Sequence, residues 1–274
     1  MAAQPINIWL LGKTGHGKSS TGNTILGTEV FEDDVSACST TSEPKSGNNV
    51  LRGQRYVKVV DLPGFYDTDD VHQKTAIKNV RATTQMTKPG PNGVLFVISI
   101  AARFTEEEYK TFQRVKKLFD DKITNHMIVV FTRKDDLDAK NKTVDEYLTT
   151  APNLLKIVLE ECGGRYVFFN NRADDDAQVD NLLEKIDSIS IGGAYYRNPY
   201  LNMSEDDLTK RVREKLGLSE KAEVEKTSYC QGLTKTIKDQ SYMIIGLSLL
   251  AIARPAQGSL GGALKEGAKS LFRP

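Results

Sequence analysis

The sequence predicts an α/β fold with a mostly parallel central sheet, helices on both of its faces, and a helical extension at the carboxyl end. Two observations support this prediction. Short apolar runs alternate with helical patterns through residues 6–190, and such alternation indicates parallel strands joined by right-handed crossovers. A glycine-rich loop separates the first apolar run from the first helical pattern, and ligands of such folds bind at the carboxyl ends of strands.

Five apolar runs are predicted to form strands. The runs at 94–98 and 127–131 are continuously apolar, as in strands that are buried on both faces. The predicted strands are Ile6–Leu11, Tyr56–Val60, Val94–Ile98, Met127–Phe131 and Tyr166–Phe169. The segment Thr28–Asn49 is rich in Ser and Thr and is predicted to be a long loop.

The helix predictions depend on capping residues and on apolar spacing. Thr105 heads three glutamates, with Glu108 at the position of a capping box. Phe112, Val115 and Phe119 then follow at helical spacing on one face. The other predicted helices are Lys18–Leu26, closed by Gly27, Val71–Gln85, Pro152–Glu161, and one with the apolar stripe Val179, Leu182, Leu183, Ile186 and Ile189.

The chain divides into three predicted regions. Residues 1–192 are expected to form one domain that ends near two consecutive glycines. Residues 193–240 are highly charged with apolar positions at helical steps, which indicates an amphipathic helical extension. Residues 241–274 contain a short apolar run and a glycine-rich tail. The apolar run has about eleven residues, whereas a helix that spans a bilayer needs about 20.

Composition narrows the function classes. The 274 residues carry a formal net charge of +1, so no nucleic-acid partner is expected from bulk charge. Three scattered cysteines form no Cys-x-x-Cys pair, which indicates neither a zinc site nor a disulfide framework and favours a reducing compartment. No signal-peptide pattern is visible at the amino end. We therefore expect a cytoplasmic protein, with peripheral membrane contact through residues 241–274 left open.

Residues Gly12–Ser19 fit the pattern Gly-x-x-x-x-Gly-Lys-[Ser/Thr], between a predicted strand and a predicted helix. That context is typical of a phosphate-binding loop, in which glycines let backbone N–H groups surround phosphate oxygens. Lys18 is expected to reach the β- and γ-phosphates. The predicted nucleotide contacts in this segment are Gly12, Lys13, Thr14, Gly15, His16, Gly17, Lys18, Ser19 and Ser20.

A magnesium ion is predicted beside the phosphates. The Ser19 hydroxyl is one expected ligand, and Asp61, which opens an Asp-x-x-Gly motif after a predicted strand, is another. The backbone N–H of Gly64 is expected to meet a γ-phosphate. A threonine between the two motifs, Thr40 rather than Thr41, is expected to bind both the ion and the γ-phosphate.

The segment Thr132-Arg133-Lys134-Asp135 follows the strand predicted at 127–131 and occupies the place of the guanine-reading Asn-Lys-x-Asp motif. A carboxylate at Asp135 would accept hydrogen bonds from the guanine N1–H and exocyclic amine, a pair that adenine does not offer. Arg133 replaces lysine and is expected to stack on the base. Asp136 is a competing candidate for the carboxylate. A last base contact is expected at Asn170-Asn171, where the next strand ends.

Taken in chain order, these motifs resemble the AIG1-type G domain of the GIMAP, or immunity-associated nucleotide-binding, family. The likeness covers roughly residues 5–190. The matching segments are Gly12–Gly27, Asp61–Asp67, Arg103–Glu108, Phe131–Leu137 and Cys162–Arg172. The resemblance implies a P-loop GTPase fold related to septins and chloroplast import GTPases, which binds GTP or GDP with Mg²⁺ and pairs across its nucleotide sites. It also implies that Asn171 is the base-contacting asparagine.

The catalytic interpretation depends on two positions. Ras-like GTPases place a glutamine directly after Asp-x-x-Gly, whereas this chain has Phe65, which cannot orient water, so we expect slow hydrolysis by the monomer. Arg103 is interpreted either as an arginine finger acting in trans in a dimer or as a surface arginine near an acidic turn. The residues predicted to act on the reacting phosphate are Lys18, Thr40, Gly64 and Arg103.

Other functions stay open at this point. The leading hypothesis is a guanine-nucleotide switch with slow hydrolysis, coupled to dimerisation through its nucleotide face. The alternative is a GTP-dependent oligomeric scaffold that hardly hydrolyses GTP, with a location at a membrane surface left open. A P-loop ATPase or small-molecule kinase is a third class, against which Asp135 argues. His16, inside the phosphate loop, is interpreted as a partner contact or as an exposed loop residue.

Overall fold

The computed structural model describes residues 6–32, 43–51, 55–63 and 73–217. A six-stranded sheet in the order β2-β3-β1-β4-β5-β6 forms its centre. All neighbouring strands pair in parallel except β2 and β3, which are antiparallel. The predicted α/β fold with a mostly parallel sheet and helices on both faces is confirmed.

The strands are β1 Ile6–Leu11, β2 Lys45–Leu51, β3 Arg55–Asp61, β4 Gly93–Ser99, β5 Met127–Thr132 and β6 Tyr166–Phe169. The α-helices are α1 Lys18–Leu26, α2 Gln73–Met86, α3 Glu106–Phe119, α4 Lys134–Asp138, α5 Val144–Thr149, α6 Asn153–Glu161, α7 Asp176–Ile189 and α8 Glu205–Leu216. Short 3₁₀ helices cover Asp121–His126 and Ile191–Gly193.

Strand β1 lies at the centre of the sheet and is buried along its whole length. Because successive side chains of a strand point to opposite faces, Trp9 and Leu11 enter one core and Ile8 and Leu10 enter the other. The first core contains aromatic side chains of α3 and β5, including Phe112, Phe119 and Phe131. The second contains apolar side chains of α1 and α7. Burial on both faces explains the continuously apolar sequences of the central strands.

Strand β2 corrects one expectation. Thr28–Asn49 was predicted as a long loop, but Lys45–Leu51 forms an edge strand that pairs with β3 from Lys45 opposite Asp61 to Leu51 opposite Arg55. Its residues are mostly polar and partly exposed, so the segment lacks the apolar alternation by which strands are predicted. The antiparallel partner, which sequence periodicity does not show, supplies the backbone hydrogen bonds.

Local capping defines two helices beside the loops. Gly27 ends α1 in the left-handed conformation with φ 63°, as predicted for a closing glycine. Thr105 caps α3, and its backbone N–H donates to Glu108 Oε2 at 2.8 Å, which confirms the capping box. Glutamates in the first turn of α3 also complement the positive end of the helix dipole.

Residues beyond the predicted boundary at 192 contribute to the first core. Tyr196 and Tyr200 are buried there together with Leu208 and Val212 of α8. The Tyr200 hydroxyl donates to the carbonyl of Leu118 at 2.6 Å, and Arg81 of α2 pairs with Glu205 of α8 at 2.5 Å. Helix α8 thus packs on α2 and α3. The limits proposed for the region after residue 217 lie outside the described residues.

None of the helices in the described ranges is long and apolar enough to cross a membrane.

We predict that Leu208→Ala destabilises the protein by about 3 kcal/mol, because it removes buried apolar atoms and leaves a cavity in the first core. The free energy of unfolding from urea denaturation measures this. Lys210→Ala, at an exposed position of the same helix, is the matched control and should change stability by less than about 0.5 kcal/mol. Equal stabilities for the two variants would contradict the packing of α8 against this core.

Candidate functional site

The candidate site lies where β1, β3, β5 and β6 end. The loop at 12–17 follows β1, Asp61 ends β3, Thr132 ends β5, and Asn171 follows β6. Parallel strands bring their carboxyl ends to one edge of the sheet, where crevices of such folds bind ligands. The predicted phosphate, magnesium and base contacts that are described therefore come from neighbouring loops.

Two glycines explain the course of the loop. Gly12 has φ 139°, and a Cβ on it would lie 2.4 Å from the carbonyl oxygen of Val97 in β4. Gly17 has φ 84° and stands at the N-cap of α1. Residues with side chains rarely adopt either conformation. The loop therefore passes close to β4 and turns directly into the amino end of a helix, the arrangement that binds phosphate groups through backbone N–H groups.

Lys18 is buried, and its ammonium group donates to the carbonyl oxygen of Lys13 at 3.1 Å. Thr14 and Gly15 are exposed at the tip of the loop, and Ser20 is half-buried in the first turn of α1. The carbonyl of Ser20 accepts a hydrogen bond from the Thr24 hydroxyl at 3.0 Å. The Lys18 side chain therefore lies along the loop, with its ammonium group beside the loop backbone at Lys13.

The two described magnesium candidates are in contact. The Ser19 hydroxyl donates to Asp61 Oδ2 at 2.7 Å, and Asp61 is fully buried at the end of β3. Hydroxyl and carboxylate oxygens suit Mg²⁺, which commonly takes one or two carboxylates and completes its shell with waters and substrate phosphates. The donor set fits the ion. Thr40, Gly64 and Phe65 lie outside the described residues.

The described ranges contain no group of three or more His, Cys, Asp and Glu side chains that is suited to hold a metal by itself.

Thr132 connects the phosphate loop to β5. Its hydroxyl donates to the carbonyl oxygen of His16 at 2.9 Å, and the side chain is buried. This is the position where the sequence departs from the guanine-reading pattern by replacing asparagine with threonine. A threonine hydroxyl can donate one hydrogen bond. Thr132 thus forms a hydrogen bond between the end of β5 and the phosphate loop.

The geometry distinguishes Asp135 from its competitor Asp136. Arg133 stands at the N-cap of α4 with φ 66°, and its guanidinium lies 3.9 Å from the Asp136 carboxylate. Lys134 lies 3.8 Å from Asp138 in the same helix. Asp135 pairs instead with Arg172 of the loop after β6, at 3.1 Å. Asp135 therefore faces the neighbouring loop, whereas Asp136 pairs within its own turn.

The Asn171 side chain contacts helix α1. Its Nδ2 donates to the Thr21 hydroxyl at 3.1 Å, and its Oδ1 accepts from the Thr24 hydroxyl at 3.0 Å. A Cβ on Gly17 would lie 3.6 Å from that Nδ2. Asn171 therefore fixes the loop after β6 beside the start of α1, and its contact with the base stays a prediction.

His16 is buried, with 8 % of its surface exposed, so its interpretation as an exposed loop residue is wrong. Its Nε2 lies 3.6 Å from Glu108 Oε1 in the first turn of α3. Lys13 is ion-paired with Glu107 and lies 3.8 Å from Glu108. The sequence analysis missed this cluster, because the capping box already accounts for a glutamate at position 108 and gives no sign of its contacts with Lys13 and His16.

The pKa values in this cluster follow from burial and hydrogen bonding. Burial lowers the pKa of His16, and the nearby Glu108 only partly opposes this effect. Burial by itself raises the pKa of Glu108, but hydrogen bonds from Thr105 outweigh it and bring that pKa below its usual value. Near neutral pH the loop therefore carries a neutral histidine beside an ionised carboxylate.

Arg103 lies between β4 and α3, and its side chain is exposed. It precedes by a few residues the glutamates that contact Lys13 and His16. The segment that carries Arg103 is thereby connected to the phosphate loop.

Asn23 was also missed by the sequence analysis. Its Oδ1 accepts from the backbone N–H groups of Val30 and Phe31 at 2.9 and 2.8 Å, and its Nδ2 donates to the carbonyl of Phe31 at 2.8 Å. Three bonds from one side chain fix the chain directly after α1, where the segment predicted to carry the magnesium-binding threonine begins.

The sheet order, the glycine loop at the start of α1 and the Ser19–Asp61 contact together define a P-loop G domain. The chain belongs to the AIG1 family, whose pattern matches residues 6–216. This match extends through α8. It agrees with the family resemblance seen in the motifs.

One relative is immune-associated nucleotide-binding protein 1 of Arabidopsis thaliana, 37 % identical over 66 % of this chain and 80 % of that protein. Among solved structures, one that resembles this chain is Toc33 from Arabidopsis thaliana in complex with GDP and Mg²⁺. The match covers 72 % of this chain and 87 % of the Toc33 chain, with 18 % identity and a TM-score of 0.51. A structure of the chloroplast translocon components atToc33 and psToc159 matches over 71 % of this chain and 86 % of the other chain, with 20 % identity and a TM-score of 0.50. At these identities the two structures show a shared fold.

We predict that stability falls as the pH drops below about 6.5, because burial lowers the pKa of both His16 and His126. The unfolded chain then binds protons that the folded chain does not, so folding stability is complete above that pH and declines toward the folded-state pKa values. Each histidine contributes a slope of at most about 1.4 kcal/mol per pH unit.

Urea denaturation between about pH 7.5 and pH 5.5 checks this prediction, because the carboxyl groups titrate mainly below that range. His16→Gln and His126→Gln should each flatten the dependence, and the double variant should flatten it most. A wild-type stability that does not change over this range would contradict the prediction.

Proposed function

We propose that the chain is a guanine-nucleotide-binding switch that binds GTP or GDP with Mg²⁺ and hydrolyses GTP slowly. One observation carries the proposal: the Ser19 hydroxyl and the Asp61 carboxylate, from two separate motifs, meet at 2.7 Å beside the phosphate loop. Lys18 and the amino end of α1 supply positive charge to the same place. Ser19 and Asp61 would hold Mg²⁺ there, and the bound ion would supply positive charge that neutralises the phosphates.

The preference for guanine is proposed to depend on Asp135. Its carboxylate faces the loop after β6 rather than its own helix, and an ionised carboxylate accepts both the N1–H and the amine of guanine. Adenine presents an acceptor at N1 and no amine at C2, so the same carboxylate disfavours ATP. This argues for a GTP-binding switch over an ATPase or kinase.

We predict that Asp135→Asn lowers GDP affinity by about 100-fold, because charge-assisted hydrogen bonds to both guanine donors are lost. The same variant should bind xanthosine diphosphate better than the wild type does, because the asparagine amide donates to the carbonyl at C2 of xanthine. Isothermal titration calorimetry with Mg²⁺ measures both affinities.

Asp136→Asn is the matched control. It removes the same charge from the next residue, whose carboxylate pairs with Arg133 of its own turn. It should keep the GDP affinity of the wild type. The reverse pattern, loss in Asp136→Asn and none in Asp135→Asn, would assign base reading to Asp136 instead.

Hydrolysis is proposed to be slow in the monomer and faster in a dimer formed through the nucleotide face. Phe65 offers no group to orient water, so the additional charge would come from Arg103 of a second copy. The exposure of Arg103 and the contacts between the adjacent turn of α3 and the phosphate loop support this assignment. In the chloroplast translocon components atToc33 and psToc159, dimerisation is important for the GTPase activity.

We predict that the specific GTPase activity of the wild type rises with protein concentration, and that Arg103→Ala lowers it by about 1,000-fold at high concentration. Phosphate release under multiple turnover measures the rate, and size measurement without nucleotide, with GDP and with a non-hydrolysable GTP analogue measures association. Arg197→Ala, which removes an exposed arginine elsewhere, is the control.

Specific activity that stays flat over the concentration range would rule out the trans role of Arg103. If GTP binds and drives association but neither the wild type nor Arg103→Ala hydrolyses it, the chain is a GTP-dependent scaffold instead.

A further inference from the structure

The loop after β6 carries an arginine to which neither the sequence analysis nor the proposed function assigns a role. The Arg172 guanidinium donates from Nη1 to Asp135 Oδ2 at 3.1 Å, across the space between the loops that end β5 and β6. Asp135 is the carboxylate proposed to read guanine. The pair therefore lies at the base end of the candidate site.

The turn that presents Arg172 is fixed by its neighbours. The backbone N–H of Asn170 donates to Gln178 Oε1 at 2.9 Å, and Gln178 Nε2 donates to the carbonyl of Asn170 at 3.2 Å. The backbone N–H of Arg172 donates to Asn170 Oδ1 at 3.0 Å. On the other side, the amide of Asn171 is bonded to α1 through Thr21 and Thr24. The start of the Arg172 side chain is thus held in place, although 74 % of the side chain is exposed.

The surrounding charges assign this arginine to Asp135. The two other acids of α4, Asp136 and Asp138, lie near cations of their own turn, Arg133 and Lys134. Asp135 has the least exposed side chain of the three acids, at 26 %, and its cation comes from a different loop. The Asp135–Arg172 pair joins the start of α4 to the loop after β6, whereas the other two pairs lie within α4 and its N-cap.

The chemistry allows the pair to persist when a base binds. A carboxylate offers about four lone-pair positions, of which Arg172 uses one, and guanine needs two. A base that covers Asp135 removes water from it, and a desolvated charge is costly unless a counter-charge stays beside it. An exposed ion pair contributes little to folding stability. The effect of Arg172 should therefore fall on binding rather than on stability.

We propose that Arg172 is a positioning residue of the base site, which holds the Asp135 carboxylate oriented toward two donors of the base. Arg172 thereby favours bases that carry an amine at C2 beside the N1–H, as in GDP, over inosine diphosphate, which offers only the N1–H. This inference rests on the proposed function, in which Asp135 reads guanine.

The test compares affinities of the full chain for GDP and inosine diphosphate by calorimetry with Mg²⁺. Arg172→Ala should lower GDP affinity about tenfold and inosine diphosphate affinity about threefold, so that selectivity falls about threefold. Arg172→Lys, which keeps the charge without the planar fork, should lie between the wild type and Arg172→Ala. Arg197→Ala, an equal loss of charge at another exposed arginine, should change neither affinity. Thermal unfolding should be the same for all four proteins.

Several outcomes overturn the inference. Equal losses for the two nucleotides, unchanged or tighter GDP binding in Arg172→Ala, or a lysine variant no better than alanine would each do so. These results are distinguishable from failure of the proposed function. A wild type that binds GDP no better than inosine diphosphate, or binds neither, overturns the role of Asp135 and the inference with it.

Discussion

The candidate site depends on the parallel alignment of β1, β3, β4 and β5. Because these strands run in one direction, their carboxyl ends meet at one edge, and groups far apart in the chain come into contact there. Ser19 and Asp61 are 42 residues apart in sequence and 2.7 Å apart in space. The two apolar cores that bury both faces of the sheet stabilise this alignment. A change that shifts β3 relative to β1 would therefore separate Ser19 from Asp61 without replacing either residue.

The phosphate loop is fixed by side chains from the end of β5 and from the start of α3. Thr132 bonds the carbonyl of His16 from the end of β5, and Glu108 lies beside the His16 ring from the start of α3. Lys13 is paired with acids of the same helix turn. A loop held in this way loses less conformational freedom when a ligand binds, which favours affinity. The same contacts connect the loop to the segment that carries Arg103.

Local chemistry made much of the fold predictable. The capping box of Thr105 and Glu108, the closing Gly27 and the apolar stripe of α7 are each encoded within one or two helical turns, and all three predictions are confirmed. The residues of β2 are mostly polar, so its pairing with β3 left no apolar alternation in its own sequence. The His16–Glu108 and Asp135–Arg172 contacts join segments distant in the chain, and motif spacing does not report such distances. The sequence therefore indicated Ser19 and Asp61 as candidates but not the charges that surround the phosphate loop and Asp135.

The paired bonds of Gln178 to Asn170 have a consequence for how copies of the chain can meet. The side-chain amide presents one acceptor and one donor to the backbone of Asn170, as a residue of an adjacent strand would. Open strand edges are places where a second chain can add its own strand and start aggregation, and natural proteins commonly block them. At the carboxyl end of β6 this amide already takes the place of such a strand. Association of a second chain by strand addition is therefore blocked at that point of the sheet edge.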